Sequence, residues 1–219
     1  GTGSGKTECF LLPLLGQLCE ESASWGKNKI PAMRSMILYP LNALAEDQMI
    51  RLRKTLDSNE SKEWLDKNRE GNRITFGRYT GNTPETFSPY KTRVQEWKQI
   101  KKIVNAEDYE GDEDLIYSYP CMDSIRPDGD IKKNSDRNSA EFISRDVMIG
   151  KGKYEACPPD IFITNYSMLN IILMRPKEDV LFTKTREWLE GETDKENPTR
   201  IFTLVVDELH TYRGTAGTE

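Results

Sequence analysis

Two stretches, at opposite ends of the chain, carry residue types spaced for chemistry. Gly1-Thr2-Gly3-Ser4-Gly5-Lys6-Thr7 opens the sequence, and Asp207-Glu208-Leu209-His210 stands near its other end, directly after the largely β-branched run Ile201-Phe202-Thr203-Leu204-Val205-Val206. Gly5, Lys6 and Thr7 take the last three places of the pattern G-x-x-x-x-G-K-[ST], whose first glycine would fall one residue before Gly1. A polyphosphate needs a ring of inward-pointing backbone N–H groups, and Gly3 and Gly5 permit the left-handed torsions that bring the chain so close. A helix starting at such a loop adds its unpaired N-terminal amides and its dipole. Gly1, Thr2, Gly3, Ser4 and Gly5 are therefore candidates for the phosphate cradle. Lys6 is placed to reach the β and γ phosphates and Thr7 to ligate Mg²⁺ through its hydroxyl. An apolar helical pattern, Phe10, Leu11, Leu14, Leu15 and Leu18, follows at once, which a flexible glycine-rich linker would not need, and Pro13 within it predicts a kink.

The second stretch supplies carboxylates. At the C-terminal edge of a parallel strand, where open α/β sheets bind ligands, two adjacent acids can divide the labour. Asp207 holds Mg²⁺, directly or through water, and Glu208 polarises the attacking water on the γ-phosphate side. His210 is the only histidine, and such a residue is either a satisfied core group or a participant in the site. Read together, the two stretches predict a site that binds and hydrolyses a nucleoside triphosphate, with ATP and Mg²⁺ as cofactors.

The elements that must position these residues can be traced between them. Residues 7–22 read as the helix after the phosphate loop, ended by the polar stretch Ser22 to Lys29. Met36-Ile37-Leu38-Tyr39, stopped by Pro40, reads as a buried strand within Arg34 to Tyr39. Leu41, Leu44, Ala45, Met49, Leu52 and Leu56 fall on one helical face. Further strands are predicted over Arg73 to Tyr79, Asp160 to Thr164 and Ile201 to Val206, with helices over Lys91 to Val104, Tyr166 to Met174 and Val180 to Leu189. Residues 105–140 mix acids, prolines and glycines and read as an acidic and polar insertion.

Composition sets outer bounds. A chain of 219 residues suffices for one α/β domain with a sizeable core. No apolar run approaches the roughly 20 residues a membrane-spanning helix needs, so no membrane partner is expected. Cys9, Cys19, Cys121 and Cys157 have neither zinc-site spacing nor the density of a disulfide scaffold, and are expected to be reduced thiols in a cytoplasmic protein. The net charge of −5 does not announce a nucleic-acid partner, but the deficit is concentrated in Glu107, Asp108, Glu110, Asp112, Glu113 and Asp114, and elsewhere the charges nearly balance.

The sequence resembles the superfamily 2 DExH/DEAD-box helicases. Gly1 to Glu8 with Phe10-Leu11-Leu12-Pro13 looks like their motif I, and Asp207-Glu208-Leu209-His210 like motif II. Tyr39 to Gln48 resembles motif Ia, Tyr79 to Pro84 motif Ib, and Thr164 to Leu169 motif Ic. The tail His210-Thr211-Tyr212-Arg213-Gly214 is similar to a narrower group of bacterial DNA helicases that includes repair translocases and the large helicases of phage-defence systems such as Druantia and DISARM. The match spans the chain apart from residues 85–155.

What the resemblance implies is a RecA-like P-loop NTPase domain, three-layer α/β with a mainly parallel sheet, bearing an insertion. Its Ia, Ib and Ic loops would grip one nucleic-acid strand by its phosphates, DNA being favoured over RNA through the narrower group. Pro40, Leu41, Asn42, Thr80, Gly81, Thr164 and Asn165 are the candidate contacts, through helix-start amides, hydroxyls and side-chain amides that bind phosphate without net positive charge. The alternative for Pro40, Gly81 and Asn165 is a plain strand-to-helix turn. His210 would couple the nucleotide site to the strand-gripping side. Against the family pattern, the chain stops at Glu219 before a motif III, and lacks the strand that feeds the phosphate loop and a second RecA-like domain. Residues 1–219 are thus expected to be a partial motor domain within a longer protein. Without an arginine finger, which contributes roughly 10³ to 10⁵ in rate, it should bind nucleotide weakly and hydrolyse it poorly alone. Two other readings stand beside the helicase: an ATPase that remodels protein–DNA complexes without separating strands, and a nucleotide-gated scaffold whose insertion recruits a partner. The insertion itself either repels stray DNA, docks a basic partner, or is a solvated loop.

Overall fold

In a computed structural model, the described residues are 6–26, 29–85, 140–151, 155–191 and 200–209, with the Lys6 and Asn59 side chains outside that set. The elements in chain order are α1 (Lys6–Glu21), β1 (Ser35–Tyr39), α2 (Asn42–Leu56), α3 (Asn59–Asn68), β2 (Phe76–Tyr79), β3 (Glu141–Phe142), α4 (Arg145–Ile149), β4 (Ile161–Asn165), α5 (Tyr166–Met174), α6 (Asp179–Glu190) and β5 (Thr203–Val206). The strands form one sheet in the order β3-β2-β4-β1-β5, with every pairing parallel.

Parallel strands are buried on both faces, and the short apolar runs of β1 and β4 fit that environment. All five residues of β1 are buried. Side chains alternate across a strand, so β1 feeds two cores. Ile37 and Tyr39 face α1 and α2, packing with Leu11, Leu14, Leu15, Leu18, Ala45, Met49 and Leu52. Met36 and Leu38 face α4, α5 and α6, packing with Val147, Met148, Met168, Ile172 and Leu181. The result is the three-layer α/β arrangement that the sequence leads one to expect.

The N-terminal edge of the sheet is tied by buried charge. Arg34, 1% exposed, donates to Glu21 Oε1 at 2.6 Å and to Asp160 Oδ1 at 2.7 Å, and lies over the rings of Trp25 and Trp188. Asp160 Oδ2 accepts from Lys29 Nζ and from Thr75 N at 2.7 Å, while the Asp160 carbonyl accepts from Ser35 N at 2.8 Å. One side chain thus joins the starts of β1, β2 and β4. Burial alone would raise the Asp160 carboxyl, but the cations of Lys29 and Arg34 outweigh it and hold the group below the usual carboxylate range.

Several expectations are corrected. Leu41, placed on the buried face of a helix, is 64% exposed: the backbone there is extended, and the helix begins at Asn42. The strand predicted over Ile201 to Val206 begins at Thr203 and is only partly buried. Its Leu204 is 56% exposed, because β5 is an edge strand among the described residues. Helix α3, capped by Ser58 Oγ accepting from Ser61 N at 3.2 Å, is an addition to the expected elements, its signal being faint because Trp64 and Leu65 are its only apolar residues. So were β3 and α4, which lie just past the proposed end of the insertion. Two residues make a weak strand, and α2 docks it: Arg53 Nε and Nη2 donate to the two Glu141 carboxylate oxygens at 2.7 and 2.8 Å, and Ala140 N donates to Asp57 Oδ1 at 2.6 Å. Pro13 lies on the exposed side of α1, which continues through it. The predicted helix Lys91 to Val104 lies outside the described residues, as does the 105–140 insertion up to residue 139.

Candidate functional site

Because all five strands run the same way, their C-terminal ends share one edge. Tyr39, Tyr79, Asn165 and Val206 are the last residues of β1, β2, β4 and β5, so the turns that follow them open onto one crevice. Ligands of open parallel sheets bind there.

One group of candidate residues lies at the start of α1 and just after β5. Lys6 is the first residue of α1, and Thr7 follows, half-exposed. Gln48 Nε2, on the buried face of α2, lies 3.5 Å from Thr7 Oγ1, which accepts from it. One position on, Glu8 pairs with Arg51, whose Nε also lies 3.5 Å from Asp47 Oδ2. These contacts fix the first turn of α1 against α2. Asp207 continues the β1–β5 ladder, its N–H donating to Leu38 O at 3.0 Å. Asp207 Oδ1 in turn accepts from Glu208 N at 3.0 Å, and Glu208 sits in the left-handed region with φ 49°. For a residue other than glycine that conformation costs about 1 kcal/mol, and such strain gathers at functional sites. It turns the chain sharply after the strand, leaving both acids half-exposed at the crevice.

Beside Asp207 lies Tyr39, 1% exposed, with its hydroxyl buried and without a hydrogen-bond partner among the described residues. Burial pushes the phenol well above its ordinary range, and the charges of Asp207 and Asp47 push it further. Tyr39 and Gln48, which bound the stretch resembling motif Ia, and Arg51 are not among the site residues that the sequence suggests. Gln48 could have been: it is a polar residue on a helical face otherwise made of Ala45, Met49 and Leu52.

The donor set fits a Mg²⁺-nucleotide. Thr7 and Asp207 offer hard oxygens, and the orphaned Tyr39 hydroxyl marks polar capacity still unused. The described residues hold no cluster of three or more His, Cys, Asp or Glu, and Mg²⁺ bound through one hydroxyl, one carboxylate and phosphate oxygens requires none.

A second group lies at the ends of β2 and β4. Asn165 caps α5, its Oδ1 accepting from Met168 N at 2.8 Å, while its Nδ2 donates to Asn42 Oδ1 at 2.7 Å. Asn42, Pro40 and Asn165 are half-buried, and Leu41 and Gly81 are exposed. Thr80 and Thr164 differ from expectation. Both are fully buried, and Thr164 Oγ1 donates to Tyr79 O at 2.6 Å, so this hydroxyl fastens β4 to β2 rather than facing a phosphate. The Thr80 backbone N–H is likewise spent inside, donating to Thr83 Oγ1 at 3.0 Å. Gly1 to Gly5, the Lys6 side chain and His210 lie outside the described residues.

Comparison with known proteins agrees with this geometry. Residues 1–105 match the model of the DEAD/DEAH box helicase family. The whole chain is similar to the Druantia protein DruE of Escherichia coli (strain UMEA 4076-1), with 32% identity over 245 aligned positions. The chain spans 13% of the length of that relative. Residues 1–105 are thus similar to the DEAD/DEAH box helicases, and the parallel sheet is in keeping with that likeness.

Proposed function

We propose that the chain is the ATP-binding part of a motor that couples ATP hydrolysis to translocation along, or unwinding of, nucleic acid, with DNA as its track. The observation that carries this reading is that Asp207 and Glu208 follow β5 at the sheet edge where the Asn42–Asn165 pair also lies, while α2, which begins at Asn42, holds Thr7 through Gln48. Bound Mg²⁺ would neutralise charge on the β and γ oxygens. Thr7 and Asp207 would hold it, the Gly1 to Gly5 amides and Lys6 would hold the phosphates, and Glu208 would orient the attacking water. His210 relays the state of this site toward the strand-gripping edge. Asn42, Asn165, Gly81, Pro40 and Leu41 border the surface along which the phosphates of one strand lie, contacts blind to base sequence. Thr80 and Thr164 shape that edge from beneath.

Further parts of the reading rest on likeness. A second RecA-like domain of the same protein would supply the arginine finger, in keeping with the much greater length of DruE. The similarity to a Druantia protein supports a place in phage defence, and hence in the cytoplasm. Among the described residues no helix is long and apolar enough to cross a membrane. The decisive experiment measures ATP hydrolysis by the full-length protein with and without single-stranded DNA. Stimulation by DNA that disappears in Glu208→Gln, with nucleotide binding retained, is the expected result. Hydrolysis indifferent to both DNA and RNA would overturn the motor reading.

A further inference from the structure

Tyr39 presents an anomaly. A buried hydroxyl without a partner costs about 1 to 3 kcal/mol, and a phenylalanine would fill the same space without that cost. The side chain belongs to the core formed by α1, α2 and the sheet, yet it stands at the strand end that adjoins Asp207. Three features place that tip. Leu38 is in register with Val206, so Tyr39 and Asp207 are the next neighbours across the β1–β5 ladder, and the Asp207 N–H bond to Leu38 O holds them there. Tyr39 faces the α1–α2 side, where Gln48 meets Thr7. The charges of Asp207 and Asp47 both act on the phenol.

Resting on the nucleotide-site reading above, we propose that Tyr39 is a positioning residue whose hydroxyl acquires its hydrogen-bond partner only when Mg²⁺-nucleotide binds, donating to the oxygen shell shared by Asp207 and the ion. A neutral phenol is a hydrogen-bond donor, and a donor directed at an anionic shell makes a charge-assisted bond. Without nucleotide the hydroxyl is a standing cost; with nucleotide it becomes an interaction. The polar tip therefore biases the site toward the occupied state.

Tyr39→Phe removes only the oxygen. In the full-length protein without nucleotide, this variant should melt at the same temperature as wild type or higher, as expected on removal of an unsatisfied buried group. The rise in melting temperature produced by a Mg²⁺-bound non-hydrolysable ATP analogue should be smaller in the variant, with affinity weakened about tenfold, ~1.4 kcal/mol. In EDTA the two proteins should bind the analogue equally. A hydroxyl with a purely structural role would instead lower the melting temperature without nucleotide and leave the ligand-induced rise intact, which overturns the proposal. An equal rise in both proteins also overturns it while leaving the nucleotide site standing. No rise in wild type removes the nucleotide reading itself.

Discussion

Tyr39 and Tyr79 each end a strand and each are 1% exposed, yet they differ by one hydrogen bond. Tyr79 donates its hydroxyl to Glu178 Oε1 at 2.9 Å, and Glu178 is itself fully buried. Burial raises the Tyr79 phenol, and the Glu178 carboxylate raises it further, so it remains a donor. Deleting this oxygen has the opposite sign from deleting the one on Tyr39. Tyr79→Phe leaves a buried carboxylate short of a donor and should cost about 1 to 3 kcal/mol of stability, measured by urea unfolding beside Tyr39→Phe. Equal effects for the two substitutions would show that the partner at Glu178 does not matter. The same reasoning separates the threonines at the crevice. Thr164 spends its hydroxyl inside the sheet, so its side chain shapes the C-terminal edge without facing outward from it.

Helix α2 joins every part of the site. It begins at Asn42, which accepts from Asn165 at the strand-end surface; its middle meets α1 through Gln48 and Arg51; its final turns grip β3 through Arg53 and Asp57. That grip explains how a strand of two residues holds its place at the far edge of the sheet. The Arg53–Glu141 pair is buried on both sides, and removing one partner of such a pair typically costs 3 to 5 kcal/mol. Arg53→Ala is accordingly expected to lose about 3 to 5 kcal/mol, with hydrogen exchange rising first around residues 140–143. A loss below about 1 kcal/mol would mean that β3 is held by its backbone pairing alone.

At the scale of the whole molecule, the two edges of the sheet do different work. The C-terminal edge carries the half-exposed groups of the crevice, and the N-terminal edge is closed by Asp160 with Lys29, Arg34 and Thr75. Because the folded state depresses the Asp160 pKa, its contribution is complete above the unfolded value of about 4 and is lost as pH falls through the lower folded value. Asp160→Asn should be destabilised by several kcal/mol at neutral pH, roughly 3 to 5, since it leaves two cations underpaired. Its deficit relative to wild type should shrink as pH falls below about 4. A deficit constant from pH 7 to pH 2 would show that the pair contributes through packing and not through charge.

The sequence by itself determined the parts that depend on local pattern. The Gly-Lys-Thr stretch, the apolar runs of β1 and β4 and the acids after β5 are legible because backbone approach to phosphate, burial on both faces and strand-end carboxylates each demand particular residue types close together in the chain. Much of the three-layer fold follows, since short apolar runs alternating with amphipathic helices have few ways to bury both kinds of face. Only the tertiary structure decided what depends on partners distant in sequence. Nothing local distinguishes Arg34 or Arg53 from a solvated arginine until Asp160 and Glu141 arrive from 126 and 88 residues away. Nor does any local pattern separate the hydroxyl of Tyr79, which finds Glu178 across 99 residues, from that of Tyr39, which finds no partner among the described residues. A residue's type states what bonds it can make; the packing of the strands states which of them it is given.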